Sequence, residues 1–342
     1  MNILLSSVGR RSYMVRYFKK ALGKNGLVHA GNSEETYAMQ IADRSVITPP
    51  IYDATYIDFL FDYCRQNDIK AIIPLFDIDL PVLSRYKEKF AHEGINIIVS
   101  DHEFVQICND KWRTYIFLKE NGFNTPHTFL SVADVISALK NGLLKFPLMI
   151  KPRWGMGSIG VFEADNENEL LILFNKSLNS IKKSYLYYES QQNIEKSIII
   201  QEKINGQEFG LDIFNDLSGR MLCCVPKKKL AMRAGETDYA EIIKNDQLGV
   251  IGARLSKLTK HIGNLDVDCF YANGNFYILE LNCRFGGQYP FSHLAGVNFP
   301  KAIISMLSGE QVGEKILRFR VGVIGLKDLV PKKMIKRRPI KK

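Results

Sequence analysis

The chain has no Cys-x-x-Cys pair. Its six cysteines, Cys64, Cys108, Cys223, Cys224, Cys269 and Cys283, are scattered over 342 residues. Cys223 and Cys224 are adjacent in an apolar run, where strand alternation would point them to opposite faces. That spacing excludes a zinc ribbon and a disulfide framework and implies reduced thiols. Long apolar runs are absent too: none approaches the roughly 20 residues that span a bilayer. The opening MNILLSS lacks a basic leader and a small-residue cleavage site, and Arg10 and Arg11 end it early. It reads as a first strand rather than a signal peptide, so a cytoplasmic location is expected. No internal repeat is present.

Most of the excess positive charge sits in one stretch without an acid. From Pro331 onward, PKKMIKRRPIKK carries seven lysines and arginines and no acid; removing those seven from the net charge of +10 leaves +3. Such a terminal run reads as a solvated tail. No aromatics interleave it, so a base-stacking platform is not indicated and nucleic acid is not an expected partner. The hydrophobic fraction of 46% and charged fraction of 24% suit a globular chain with ample core.

The first hundred residues alternate short apolar strands with amphipathic helices: NILLSS, a helix ending near Gly23, LVHAGNS, a helix around YIDFLFDYCRQND, AIIPLFD and INIIVS. This pattern predicts an α/β domain with a parallel sheet covered on both faces. The first turn, SSVGRRS, has one glycine where a dinucleotide fingerprint needs three, which excludes that reading. From Asp101 the pattern changes to α+β. A helix closed by Asn121-Gly122 leads into LLKFPLMIKPR, SIGVFEA, SIIIQEK, EFGLDIF, RMLCCVP, LDVDCFYA and NFYILELN. Helices are expected around 166–179, 248–261 and 298–307, and Asn273-Gly274-Asn275 is a hairpin turn. The expected organisation is an α/β domain over 1–105, a second module over 106–325 with subdomains of about 106–185 and 186–325, and a basic tail over 326–342.

Three constellations carry chemistry. In KPRWGMGSIGV a strand delivers Lys151, and Gly155, Gly157, Ser158 and Gly160 follow at once. Glycines let main-chain N–H groups approach phosphate oxygens, and the lysine supplies a point charge. In YILELN, period two puts Glu280 and Asn282 on one face, and Asp268 stands across the turn on the preceding strand. Two carboxylates and an amide oxygen suit Mg²⁺, with phosphate and water completing its shell. Arg284, Gly286 and Gly287 follow directly. In IIIQEKINGQEFGLDIF, the strand-to-loop hinge at Glu202, Lys203 and Ile204 could meet a purine edge, and Glu208 a ribose.

In their order, Lys111, Lys151 with its glycine loop, the Glu202/Glu208 hinge, Lys228-Lys229, then Asp268 and Glu280-x-Asn282-x-Arg284, these residues resemble the ATP-grasp superfamily. The resemblance is to single-module proteins related to the large subunit of carbamoyl phosphate synthetase. It covers roughly Asn2 to Gly309. It implies a pre-ATP-grasp parallel-sheet domain followed by a two-subdomain ATP-grasp module. Lys111 and Lys151 would contact ATP phosphates under the Gly155–Gly160 loop. Glu202, Lys203 and Ile204 would hold adenine, Glu208 the ribose, and Lys228 or Lys229 would reach the nucleotide. Asp268, Glu280 and Asn282 would bind one or two Mg²⁺ ions, with Mn²⁺ an acceptable substitute, and Arg284 would steady the transferred phosphoryl group. Two positions depart from the family pattern: Cys283 stands where many relatives have proline, and Asp268 is shorter than the usual glutamate or glutamine.

The resemblance implies a ligase in which a carboxylate attacks the ATP γ-phosphate, and an amine or ammonia displaces the acyl phosphate. For the small-molecule substrates the candidates are Arg10, Arg11 and Ser12 at a strand end, Arg233 in RAGET, and Asp77 with Asp79 in LFDIDL. A nucleotide-binding module or partner-binding protein without turnover is the rival class. A homodimer is compatible with either.

Overall fold

The computed structural model describes residues 1–334, so most of the basic run, including Lys336, Arg337, Arg338, Lys341 and Lys342, lies outside the described residues. Residues 331–334 are exposed and have no regular structure.

Strands β1 (Asn2–Ser6), β2 (Val28–Asn32), β3 (Arg44–Ile47), β4 (Ile69–Pro74) and β5 (Asn96–Ile97) form a wholly parallel sheet in the order β3-β2-β1-β4-β5. Strand alternation divides β1 between two cores: Ile3 and Leu5 pack with Phe18 of helix Ser12–Leu22, and Leu4 packs with Leu60 of helix Tyr56–Gln66. The chain winds outward from β1 to β3, then crosses back to β4 on the other side of β1. That places the topological switch point between β1 and β4, where the crevice of such sheets lies. The segments leaving these two strands carry Arg11 and Asp77.

A second, four-stranded sheet, β6 (Thr128–Phe129), β7 (Leu148–Pro152), β8 (Phe162–Ala164) and β9 (Ile198–Glu202), is antiparallel in the order β6-β9-β7-β8. Helix Glu167–Lys182 covers it, with Leu170 and Ile181 packed on Ile150 and Ile200. The third sheet is antiparallel in the order β14-β13-β10-β11-β12-β15, made of β10 (Gln207–Asn215), β11 (Met221–Arg233), β12 (Glu236–Ile242), β13 (Gly263–Ala272), β14 (Asn275–Asn282) and β15 (Ile324–Leu326). Asn273 (φ 49°) and Gly274 (φ 78°) both adopt the positive φ that a tight hairpin between β13 and β14 demands.

The expected subdomain division near 185/186 does not follow the strand pairing. β9 pairs with β7 and β6, so the second sheet runs on to Glu202. Residues 106–124 belong with the third sheet instead: helix Lys111–Glu120 packs on β14, and Leu118 and Phe123 share a core with Leu211 and Leu281. A middle subdomain of about residues 125–202 is therefore joined to the rest at two neighbouring strand ends. The expected tail boundary at 326 falls inside β15. Adjacent Cys223 and Cys224 do face opposite cores, the first beside Phe214 and the second beside Ile213, and all six cysteines are free.

Candidate active site

The carboxyl end of β7 brings Lys151 into a cleft between the second and third sheets. Its ammonium donates to Gln201 Oε1 at 2.8 Å, and Gln201 is itself held by Thr128 Oγ1 at 2.9 Å. Burial, then the like charge of Lys111, push the Lys151 pKa down to about 8. Lys111 opens helix Lys111–Glu120. The capping residue Asp110 accepts from the Trp112 and Arg113 main-chain amides and clamps Arg153 through two bonds of 2.8 and 2.7 Å. This clamp fixes the helix start against the loop after β7, where Lys111 Nζ reaches the Gly155 carbonyl and lies 3.1 Å from Glu280. Gly157, Ser158 and Gly160 all have positive φ, so the loop turns tightly over the cleft.

The facing wall is the β13–β14 hairpin. Asp268 lies in register opposite Glu280, and Asp266 opposite Asn282, as period two requires. Lys229 spans Asp268 and Glu208 at 2.7 Å each. Burial works against the Lys229 charge, but Asp268 and Glu208 outweigh it and raise the pKa. Burial likewise lifts Asp268 to about 6, whereas Lys111 and Lys151 overcome burial at Glu280 and lower it. Among the described residues no cluster of three or more His, Cys, Asp and Glu side chains could hold a metal by itself. Asp268, Glu280 and Asn282 fit a Mg²⁺ ion that takes its remaining ligands from phosphate and water. Two ammonium groups now neutralise carboxylates that a dication would also satisfy.

Beyond Gln201 the cleft opens into a slot of about 340 Å³ lined by Met149, Glu202, Lys203, Ile204, Phe270 and Leu279. Glu202 is committed to the His127 amide at 3.1 Å and Lys203 to Glu163 at 2.6 Å, so what these residues offer a planar ring is apolar faces and main chain. At the opposite end lies a cavity of about 240 Å³ at the switch point of the first sheet. Arg11, Asp77, Tyr185, Glu236, Arg284 and Gln288 line it. Arg284 is held between Asp77 at 2.9 Å and Asp266 at 2.8 Å. Gln288 packs against the bare backbone of Gly210, where a Cβ would come within 1.7 Å of its Oε1, and it donates to Asp266 and Asp268. Arg11 donates to the Phe285 carbonyl and, among the described residues, has no carboxylate within 4 Å, unlike Lys111, Lys229 and Arg284.

Most candidates converge here, and some do not. Lys228 lies on the opposite face of β11 from Lys229, so of the two expected lysines only Lys229 reaches the cleft. Arg233 is turned outward and paired with Asp238, away from the cavity. Arg10 is exposed on the turn before the first helix, and Ser12 is the first residue of that helix rather than part of a cavity wall. Asp79 is fully buried, accepts from Ser6 and Tyr56, and is closed to an amine; Asp77, expected to bind one, is engaged by Arg284. Sequence reasoning missed Asp266, Gln288, Tyr185, Glu236 and Gln201. Asp266 was findable, since it precedes Asp268 by one strand period.

Two family profiles match the chain: the PylC-like N-terminal domain over residues 3–98, and ATP-grasp in the biosynthetic pathway with Ter operon over residues 195–324. Among curated proteins, the carbamoyl phosphate synthase large chain of Pseudothermotoga lettingae is 23% identical over 282 residues, 76% of this chain and 23% of that one. The propionyl-CoA carboxylase alpha chain of Ruegeria pomeroyi is 23% identical over 297 residues, covering 83% and 42%. The chain thus spans less than two thirds of the length of either relative. The biotin carboxylase domain of Hydrogenobacter thermophilus 2-oxoglutarate carboxylase, solved with MgADP and bicarbonate, superposes with a TM-score of 0.72 at 18% identity, covering 93% of this chain and 72% of that one. The N5-carboxyaminoimidazole ribonucleotide synthetase of Thermotoga maritima gives 0.66 at 18% identity, covering 92% and 78%. These structures share the fold.

Proposed function

We infer the function from the premise that this chain is an ATP-grasp protein resembling the large subunit of carbamoyl phosphate synthase: it activates a substrate carboxylate as an acyl phosphate for attack by an amine or ammonia, releasing ADP and phosphate. One observation carries this reading. The base slot, the lysine and carboxylate cleft and the Arg11 cavity are neighbouring cavities with shared walls: Met149, Lys151 and Gln201 line both slot and cleft, and Lys111 and Glu280 line both cleft and cavity. A nucleotide with its ring between Met149 and Leu279 would lay its phosphates along Lys151, Lys111 and Lys229. Its terminal phosphoryl group would then end at the mouth of the acid cavity.

Each residue has a task in this reading. Arg11, which among the described residues has no carboxylate within 4 Å, takes the acid. Arg284, held from two sides, neutralises charge on the phosphoryl group in transit. Asp268, Glu280 and Asn282 hold Mg²⁺, which when bound supplies further charge neutralisation at the phosphates. The Gly155–Gly160 loop and the Arg233–Glu236 hairpin meet over the cleft: a Cβ on Gly235 would come within 2.3 Å of Ser158 Oγ. Closing these loops excludes water from an acyl phosphate that would otherwise hydrolyse.

A screen of acid and amine pairs for stimulated ADP release tests the assignment. The expected result is ADP and phosphate in the presence of the right acid, abolished by Glu280→Ala. Full turnover by that variant, or AMP and pyrophosphate as products, would sink it.

A further inference from the structure

The short segment after helix Glu167–Lys182 touches three parts of the molecule within five residues. Leu186 is buried beneath the phosphate loop, so that a Cβ on Gly155 would meet its Cδ1 at 3.3 Å. Tyr185 turns the other way and forms a wall of the acid cavity beside Asp77. Tyr188 and Glu189 reach across to the first domain. There Tyr52, in the loop between β3 and helix Tyr56–Gln66, stacks on Tyr188 with ring centroids 4.6 Å apart and planes 19° from parallel. Its hydroxyl donates to Glu189 Oε1 at 2.8 Å. Burial, then the Glu189 charge, raise the Tyr52 pKa, so the phenol stays a donor throughout the neutral range.

The middle subdomain is joined to the rest near 125 and 203 and clamped there by Arg153 on Asp110, and swinging about these points would carry Tyr185 and the phosphate loop off the site together. The Tyr52 contact bridges this subdomain to the parallel-sheet domain, away from both connections. It is also reversible: Tyr188 remains half exposed, and one stack plus one hydrogen bond is a contact that thermal motion opens. We propose that Tyr52 is a positioning residue that latches the middle subdomain across the acid cavity, holding Tyr185 against the acid and the Gly155 loop against the phosphates in one movement. Its consequence for turnover rests on the ligase reading above; the latch itself does not. In that reading, opening exposes acid and acyl phosphate to water together, so the latch governs both acid affinity and the yield of product per ATP.

The test uses the full chain with Tyr52→Ala, Tyr52→Phe and Glu189→Ala. Amide exchange over residues 183–196, measured without ligand, should be about tenfold faster in Tyr52→Ala. Tyr52→Phe and Glu189→Ala, which keep the stack and lose the bond, should fall between it and the wild type. Exchange in β1 and β4 should stay unchanged, certifying the fold. In turnover, Tyr52→Ala should raise the acid KM about tenfold, weaken MgADP binding and release more ADP per product formed, with Tyr52→Phe restoring most of each. Wild-type exchange in Tyr52→Ala, or an unaltered acid KM and ADP-to-product ratio, overturns the proposal. A wild-type protein that releases no acid-dependent ADP instead removes the ligase reading, and the exchange result still decides the latch.

Discussion

Raising the pH from 7 to 9.5 should strip the charge from Lys151 and with it most of the affinity for nucleotide. The Lys151 ammonium is enclosed at the end of β7 with Gln201 as its hydrogen-bond partner. Burial and Lys111 bring its pKa from 10.5 to about 8, while Glu280, Glu208 and Asp268 pull in the other direction. A phosphate placed beside it favours the charged form, so binding raises this pKa and above pH 8 takes up a proton. The sign follows. Affinity is fully present below pH 8 and falls as pH rises through that value, about tenfold per unit until the bound-state pKa is reached. With about nine-tenths of Lys151 charged at pH 7 and about 3% at pH 9.5, the Kd should climb roughly 30-fold. Calorimetric titration with a non-hydrolysable ATP analogue and Mg²⁺, repeated in buffers of different ionisation enthalpy, measures both the Kd and the proton taken up. Lys151→Arg cannot deprotonate in this range and should give a flat profile; Lys151→Met should be weak at every pH. A wild-type Kd that stays within threefold from pH 7 to 9.5, with no proton uptake, refutes the reasoning.

Lys229→Met should strand two carboxylates that now share one buried ammonium, destabilising the protein by about 3–5 kcal/mol and abolishing ADP release. Lys228→Met, on the other face of β11, should change stability by no more than about 0.5 kcal/mol in urea unfolding. Gly210→Ala forces Gln288 off Asp266 and Asp268 and should cost about 1–3 kcal/mol and most of the turnover. Adding Gln288→Ala to it should recover stability without recovering activity. His261 is fully buried between Ile213 O and Thr259 Oγ1, and burial lowers its pKa from 6.5 to about 4. Its neutral form stabilises the fold fully above pH 6.5, and that contribution is lost as pH falls toward 4, about 3 kcal/mol in all. Thermal unfolding from pH 4 to 7 should show this slope, and His261→Phe should flatten it.

How much of this was legible depended on whether a feature lies within one element or is closed between several. The lysine and carboxylate cleft was readable because its parts are local. Lys151 and its glycines are one strand and one turn. Asp268, Glu280 and Asn282 are two strands joined by Asn273-Gly274, where alternation and a tight turn leave a single face for all three. The choice between Lys228 and Lys229 needed the register of β11, which composition does not reveal. The border of the middle subdomain failed for a similar reason: β9 returns to pair with β7 from nearly fifty residues away, and nothing in SIIIQEK says which strand it will meet. The cavity lined by Arg11 was the least legible part. Arg11 and Asp77 come from one domain, Tyr185 from a second body, and Glu236 and Gln288 from a third. Each is an ordinary surface residue in its own segment. Asp77 shows the consequence: read locally it is a free carboxylate for an amine, yet Arg284, some two hundred residues later, occupies it at 2.9 Å. Arg233 shows the converse, a cation beside the site in sequence that its own hairpin turns outward onto Asp238. A cavity assembled from three bodies can change its chemistry without disturbing any strand or turn that the lysine and carboxylate cleft depends on. That separation is the physical reason the geometry of the lysine and carboxylate cleft could be read from the chain and that of the cavity could not.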